Sequence, residues 1–257
     1  MANANILGRY VWHELLTSDP KAAEGFYTDV VGWKTQVFEN QYTMWVSSQG
    51  PMGGVMTLPE PAKKMGAPPH WTAYVEVAST DATCADAKKH GGKVYVEPMD
   101  IPTVGRMAVI ADPQGATISI IQSASDMAPH DPTKPGEFCW GELVTTDVDG
   151  ALRFYGALFG WQKLSDFDMG PMGKYTIYGK GDLQLGGIFP KPKDQPMPTA
   201  FLHYTQVAEL DTAVARAKAK GAKLLNGPME VPGGARIAQL MDPQGAAFAL
   251  HEEARKK

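Results

Sequence analysis

The segment Trp12-His13-Glu14-Leu15-Leu16-Thr17-Ser18-Asp19 returns as Trp140-Gly141-Glu142-Leu143-Val144-Thr145-Thr146-Asp147, an offset of 128 (12 to 140). The same offset carries Phe26-Tyr27 onto Phe154-Tyr155 and Gly32-Trp33 onto Gly160-Trp161. Gly53-Gly54 then maps to Gly186-Gly187 at an offset of 133 (53 to 186), so the second copy has gained residues in an intervening loop. From Val77 onward the offset is 130 (77 to 207). It aligns Pro98-Met99, Pro102, Arg106 and Asp112-Pro113-Gln114-Gly115 with Pro228-Met229, Pro232, Arg236 and Asp242-Pro243-Gln244-Gly245. Self-similarity over most of a chain marks a duplication, and its insertions belong in surface connections.

At 257 residues the chain is near the length at which single cores stop growing, which suits two units of roughly 120 residues each. Apolar residues make up 44% and charged residues 20%, values of an ordinary globular protein rather than a disordered one. Between the copies, Gln122 to Glu137 (QSASDMAPHDPTKPGE) holds three prolines and little apolar content, the composition of an exposed linker. The expected division is a first domain over 1–122, a linker over 123–137 and a second domain over 138–257.

Net charge is −4 and Lys and Arg form no dense stripe, so nucleic acid is not an expected partner. The basic Arg255-Lys256-Lys257 reads as a solvated tail. Cys84 and Cys139 lie in different copies without counterparts, which argues against a disulfide framework. MANANILGRY lacks the apolar core of a signal peptide, and no stretch approaches the ~18 apolar residues of a membrane span. A reducing cytoplasm is therefore the expected location, with a small molecule as the expected partner and no membrane. Monomer and homodimer are both left open.

Within one copy, Val11 to Thr17 alternates as a strand, and Asp19-Pro20 supplies an N-cap and a proline at the first helical position. Ala22, Ala23, Phe26, Tyr27, Val30 and Val31 recur at helical spacing up to Gly32. Strands are expected around Thr35 to Phe38, Tyr42 to Ser47 and Gly54 to Leu58. The pattern restarts with a strand at Thr72 to Val77 and a helix from about Thr80 to His90. Strands near Lys93 to Glu97, Arg106 to Ala111 and Ala116 to Gln122 complete it. Each copy thus reads as two βαβββ units.

A strand ending in Ser or Thr and Asp, a helix carrying Phe-Tyr and closing in Gly-Trp, and a last hairpin on Asp-Pro-x-Gly together resemble the vicinal oxygen chelate superfamily. Glyoxalase I, bleomycin-resistance proteins and extradiol dioxygenases belong to it. The resemblance covers nearly the whole of both copies. It is nearest to the tandem glyoxalase-like proteins of actinomycetes provisionally labelled hydroxylases and to related mycobacterial antigens. It implies an α+β fold of tandem glyoxalase-like domains, each with two βαβββ units forming a curved mixed sheet around a cup-shaped cleft. In most enzymes of the superfamily that cleft holds a divalent metal.

Carried over residue by residue, the resemblance puts the first metal ligand at Trp12 and Trp140, the second at Thr72 and Leu202, and the third at Ser119 and Ala249. None of these side chains is an imidazole or carboxylate, whereas a catalytic metal generally needs about three such ligands. No metal and no other cofactor is therefore expected. His13 stands one residue off the ligand register, and strand alternation turns it towards the helix.

If Trp12 faces the cleft, Glu14 and Leu16 face it too, and by repetition so do Trp140 and Glu142. Desolvation there would raise a glutamate's pKa, which suits Glu14 and Glu142 to acid or base work, while a structural ion pair is the competing reading. The last hairpin, drawn with Ala111 opposite Ala116, brings Arg106 onto the Ser119 side of the sheet, and Arg236 likewise. Trp12, Trp140, Thr72, Ser119, Arg106 and Arg236 are then the expected ligand-binding residues, the arginines suiting an anionic group or neutralising the glutamates. Trp45, Trp71, Tyr42, Tyr175 and Tyr178 read more readily as packing than as ligand platforms. The Gly53-Gly54 and Gly186-Gly187 pairs read as sites of bulging or curvature rather than phosphate loops.

Three functional readings follow: a metal-independent cleft with acid or base chemistry, a non-catalytic sequestering protein of the bleomycin-resistance kind, and a metal-dependent lyase or dioxygenase with displaced ligands. A shared scaffold does not choose among them.

Overall fold

In the computed structural model the described residues are 6–39, 42–125, 128–170, 173–192 and 197–254. The basic tail Arg255-Lys256-Lys257, the first five residues of MANANILGRY and Asp126-Met127 of the inter-copy stretch lie outside them.

Residues of the first copy form β1 (Tyr10–Thr17), α1 (Pro20–Val30), β2 (Lys34–Phe38), β3 (Tyr42–Ser47), β4 (Gly50–Thr57) and a short α2 (Glu60–Lys64). They continue as β5 (His70–Glu76), α3 (Thr80–Lys89), β6 (Lys93–Ile101), β7 (Gly105–Ala111) and β8 (Thr117–Ser123). The second copy supplies β9 (Phe138–Thr145), α4 (Val148–Phe159), β10 (Gln162–Asp168), β11 (Lys174–Lys180) and β12 (Leu183–Pro190). Its remainder is β13 (Ala200–Gln206), α5 (Leu210–Ala219), β14 (Lys223–Glu230), β15 (Arg236–Met241) and β16 (Ala247–Glu252). Apart from α2, these are the elements the sequence pattern predicts, in the same order.

Local chemistry sets the helix ends. The Asp19 and Asp147 carboxylates accept from the N–H groups of Ala22 and Gly150, capping α1 and α4. Gly160 closes α4 at φ +72, a left-handed conformation that a Cβ disfavours.

Two eight-stranded mixed sheets result, ordered β2-β3-β4-β1-β5-β8-β7-β6 and β10-β11-β12-β9-β13-β16-β15-β14. The fold is α+β in class, with β1 parallel to β4 and β9 parallel to β12 while the hairpins are antiparallel.

The chain divides into two compact units. One gathers Met1–Val11, Ala73–Pro129 and Trp140–Phe201; the other gathers Trp12–Thr72, His130–Cys139 and Leu202–Lys257. Each unit therefore joins the first half of one copy to the second half of the other. The unit containing α1 has a core of Leu15, Phe26, Tyr27, Trp33, Trp45 and Trp71 packed with Leu240, Phe248 and Leu250. In that core Tyr27 donates to Asp242 (3.0 Å) and Trp71 donates to Tyr27 (2.9 Å). The unit containing α4 repeats the design with Phe154, Tyr155, Phe159 and Trp161 packed with Ile110, Ile118 and Ile120, and Tyr155 donates to Asp112 (3.1 Å). Burying side chains of this size stabilises each core by roughly 1.5–3 kcal/mol apiece.

The stretch expected to be an exposed linker is anchored at its end. Glu137 is 2% exposed and accepts from Ser47, and its second oxygen pairs with His130 Nδ1 at 2.9 Å. Trp33 Nε1 donates to the Gly136 carbonyl at 2.7 Å.

Candidate functional site

Strand alternation and register assemble the site in each copy. Leu15 is part of a core, so its neighbours Glu14 and Leu16 lie on the opposite face of β1, with Trp12. In the parallel pairing Glu14 lies beside Gly54 and Leu16 beside Met56, while Met44 of β3 pairs with Gly54. Tyr42, two residues earlier on β3, reaches over Gly54. Its hydroxyl donates to Glu14 Oε2 at 2.7 Å and accepts from Trp12 Nε1 at 3.1 Å.

The second copy builds the same group. Tyr175 donates to Glu142 Oε2 at 2.9 Å, and Trp140 Nε1 donates to Tyr175 at 2.9 Å. Glu142 lies beside Gly187, which pairs with Ile177 of β11. The glycines are a steric requirement: a Cβ on Gly54 would overlap the Tyr42 hydroxyl, and one on Gly187 would overlap the Tyr175 ring. Gly53 and Gly186 serve the opposite face, where a Cβ would meet the backbone carbonyls of His13 and Gly141. The expected irregularity stands beside each glycine pair on its own strand: the pairing passes from Trp45–Gly53 to Val46–Pro51 and skips Met52 of β4, and it passes from Tyr178–Gly186 to Gly179–Gln184 and skips Leu185 of β12.

Glu14 is 4% and Glu142 7% exposed. Burial pushes the Glu14 carboxyl from the ordinary 4.5 up to about 7, against the opposing pull of the Tyr42 and Trp12 donors. Its Oε1 is buried without a hydrogen-bond partner among the described residues. Desolvation, then the charge of Glu142, pushes the Tyr175 phenol up and keeps it a proton donor.

Thr72 and Ser119 are buried on β5 and β8, with Ser119 paired to Tyr74. The arginines stand elsewhere than expected. The β7–β8 hairpin pairs Ala111 with Thr117 and Val109 with Ser119, one residue from the expected register. That shift turns Arg106 to the α3 side, where it binds Asp81 (2.7 Å) and Asp100 (2.8 Å). Arg236 likewise binds Asp211 at 2.9 Å and lies 3.8 Å from Glu252. Neither arginine neutralises Glu14 or Glu142.

His13 packs as alternation requires, its ring stacked on Phe138 with centroids 3.7 Å apart and edge-on to His203 at 4.9 Å. Trp45, Trp71 and Tyr178 belong to the cores. Tyr42 and Tyr175 do not, and sequence reasoning missed their role. The signal was present, since both sit at the offset of 133 that carries the glycine pair beneath them (42 to 175).

The superfamily's metal is tested by the donor set. Trp12, Thr72 and Ser119, or Trp140, Leu202 and Ala249, offer no carboxylate or imidazole. Among the described residues no three His, Cys, Asp or Glu side chains are grouped as a metal ion requires. The residues do not fit the group.

Comparison with known proteins agrees with this architecture. The model of the Glyoxalase/Bleomycin resistance protein/Dioxygenase superfamily matches residues 7–120 and 138–250. CFP32 of Mycobacterium tuberculosis, which carries the provisional name glyoxylase, is 31% identical over 249 residues, covering 93% of this chain and 92% of its own. The anthracycline biosynthesis protein DnrV of Streptomyces peucetius is 30% identical over 261 residues, covering 95% and 93%. Among solved structures, the Mn(II)-bound glyoxalase of Novosphingobium aromaticivorans superposes with a TM-score of 0.67 at 15% identity, over 97% of this chain and 83% of that one. The 2,3-dioxygenase LapB of Pseudomonas sp. KL28 gives 0.67 at 10% identity, over 96% and 93%. The chain belongs to the Glyoxalase/Bleomycin resistance protein/Dioxygenase superfamily.

Proposed function

We propose that this superfamily member binds a small organic molecule at the Trp–Tyr–Glu group of each duplicated domain, 1–122 and 138–257, and transfers a proton to or from it through Glu14 or Glu142 without a catalytic metal. One observation carries the reading: a buried glutamate held by a tyrosine that is itself held by a tryptophan, built twice from repeated residues.

A carboxyl with a pKa of about 7 is divided between acid and base at neutral pH, the condition under which proton transfer is most effective. Tyr42 occupies Oε2, which leaves Oε1 to carry the exchangeable proton. Trp12 fixes the Tyr42 hydroxyl and so the carboxyl plane. Cytoplasmic residence belongs to the same proposal; Cys84 and Cys139 are free thiols, and no helix among the described residues is long and apolar enough to cross a membrane.

The test is a screen of small organic molecules read on the indole N–H resonances of Trp12 and Trp140, followed by turnover of each binder. Turnover that disappears in Glu14→Gln with Glu142→Gln while binding persists supports the proposal. Turnover unchanged in that double variant contradicts it, as does turnover lost to a chelator and restored by stoichiometric metal. Binding without chemical change in the native protein would favour the sequestering reading instead.

A further inference from the structure

The surroundings of the two glutamates point to the kind of molecule they meet. β3 and β4 contain no charged residue, and β1 carries only Glu14 besides His13, which is turned to the other face. The face shared with Glu14 is Trp12, Leu16, Tyr42, Met44 and Met56. Phe38 extends it directly opposite Tyr42, and on the same face of β2 Gln36 follows opposite Met44 and the exposed Lys34 opposite Val46, at the far end of the strand from Phe38. Phe38 and Met56 remain 38% and 39% exposed beside the buried carboxyl.

In the second copy β12 contains no charged residue and β9 only Glu142. Lys180 of β11 is turned away, donating to the Phe159 carbonyl at 3.1 Å. Phe167 pairs with Tyr175, and Phe189 lies parallel to the Tyr175 ring with centroids 6.1 Å apart. The copies share few side chains here, since Met44 answers to Ile177 and Met56 to Phe189 at the offset of 133 (44 to 177, 56 to 189). Both nevertheless keep an apolar, ring-bearing face around one carboxyl.

We propose that both groups take an uncharged organic ligand bearing a planar ring, held by its apolar faces and by one carbonyl or hydroxyl hydrogen-bonded to the glutamate. This rests on the reading of Glu14 and Glu142 as the ligand site. An anion is disfavoured because it would set a second negative charge against Glu14, in a desolvated place where that carboxyl has no ion-pair partner among the described residues. A planar ring suits the tryptophan, tyrosine and phenylalanine surfaces, and an apolar body covers the open Phe38 and Met56.

Naphthol and naphthoate test the ligand class, since they share a ring system and differ in charge. Binding to the full chain is followed by titration calorimetry and by the Trp12 and Trp140 indole resonances at pH 8 and pH 5.5. The expected result is naphthol bound at least about ten-fold more tightly than naphthoate at pH 8, with both indole signals shifted. Naphthoate gains at pH 5.5 and naphthol does not, because protonating Glu14 removes the repulsion. Glu14→Gln with Glu142→Gln abolishes the discrimination. Tyr42→Phe with Tyr175→Phe, which removes a donor from each carboxylate and favours its neutral form, weakens it and serves as the second pair if the first does not fold.

Naphthoate binding as tightly as naphthol at pH 8 overturns the ligand class, as does failure of naphthol to bind. If affinities still respond to the glutamate substitutions, only the class has failed and the site stands. If both probes bind but neither substitution pair alters affinity or indole shifts, the site has failed with it.

Discussion

Tyr27 of α1 donates a hydrogen bond of 3.0 Å to Asp242, a residue 215 positions away in the other copy, and Tyr155 repeats the bond to Asp112 in the reverse sense. The repeated Phe-Tyr and Asp-Pro-Gln-Gly motifs are thus two ends of one interaction made between copies. Each aspartate is nearly buried, with its other oxygen accepting two backbone N–H groups of its own turn.

Removing the tyrosine hydroxyl leaves a buried carboxylate oxygen without its donor. Tyr27→Phe and Tyr155→Phe are each expected to lower unfolding free energy by about 1–3 kcal/mol. Urea titration measures the loss. In a double-mutant cycle, Tyr27→Phe with Asp242→Asn should cost less than the sum of the single changes.

Gly54→Ala is expected to expel Tyr42 from its place over β4 and break both hydrogen bonds of the first group; Gly187→Ala does the same to Tyr175. Near-ultraviolet circular dichroism and the Trp12 or Trp140 indole shift report the change. Gly25→Ala is the control: it is helical and has open space at its Cβ, so it should be neutral or stabilising by up to about 1 kcal/mol.

His203 is buried with its pKa lowered from 6.5 to about 3, and His13 is lowered by burial and by the neighbouring His203. Because the folded values lie below the unfolded ones, their contribution to stability is complete above about pH 6.5 and is lost as pH falls towards 3. Unfolding free energy measured across that range should fall. His203→Ala, which places in the second copy the residue found at Ala73 in the first, should make the slope shallower.

Glu14 acts in the opposite sense. Its folded pKa lies above the unfolded one, so its contribution is present below about pH 4.5 and is lost as pH rises to about 7. Above pH 7, Glu14→Gln should raise stability by up to about 3 kcal/mol at a conversion of 1.36 kcal/mol per pKa unit. Denaturant titrations of both proteins from pH 4.5 to 8 measure the difference.

The duplication, the element order and the placement of Trp12 and Glu14 on one face were legible because strand alternation and glycine or proline punctuation are local. Arg106 was misplaced because a one-residue change in a hairpin's register exchanges its faces, and the Asp-Pro-Gln-Gly turn pairs Ala111 with Thr117 rather than Ala116. The carboxylates that claim it, Asp81 and Asp100, lie on other elements. Tyr42 was hidden for a similar reason: its partner Glu14 lies on β1, separated from β3 by β4, and only the assembled sheet brings them together. The joining of Tyr27 to Asp242 depends on which halves of the copies pack together, and the repeat alone gave no sign of that.

The protonation of Glu14 is the property on which proton transfer at this site depends most directly. Carbon-13 resonances of the glutamate side-chain carboxyls, followed from pH 3 to 9 and assigned with Glu14→Gln, yield its midpoint in the folded protein. A midpoint near 7 is expected for Glu14. A midpoint near 4.5, that of a solvated carboxylate, would contradict it.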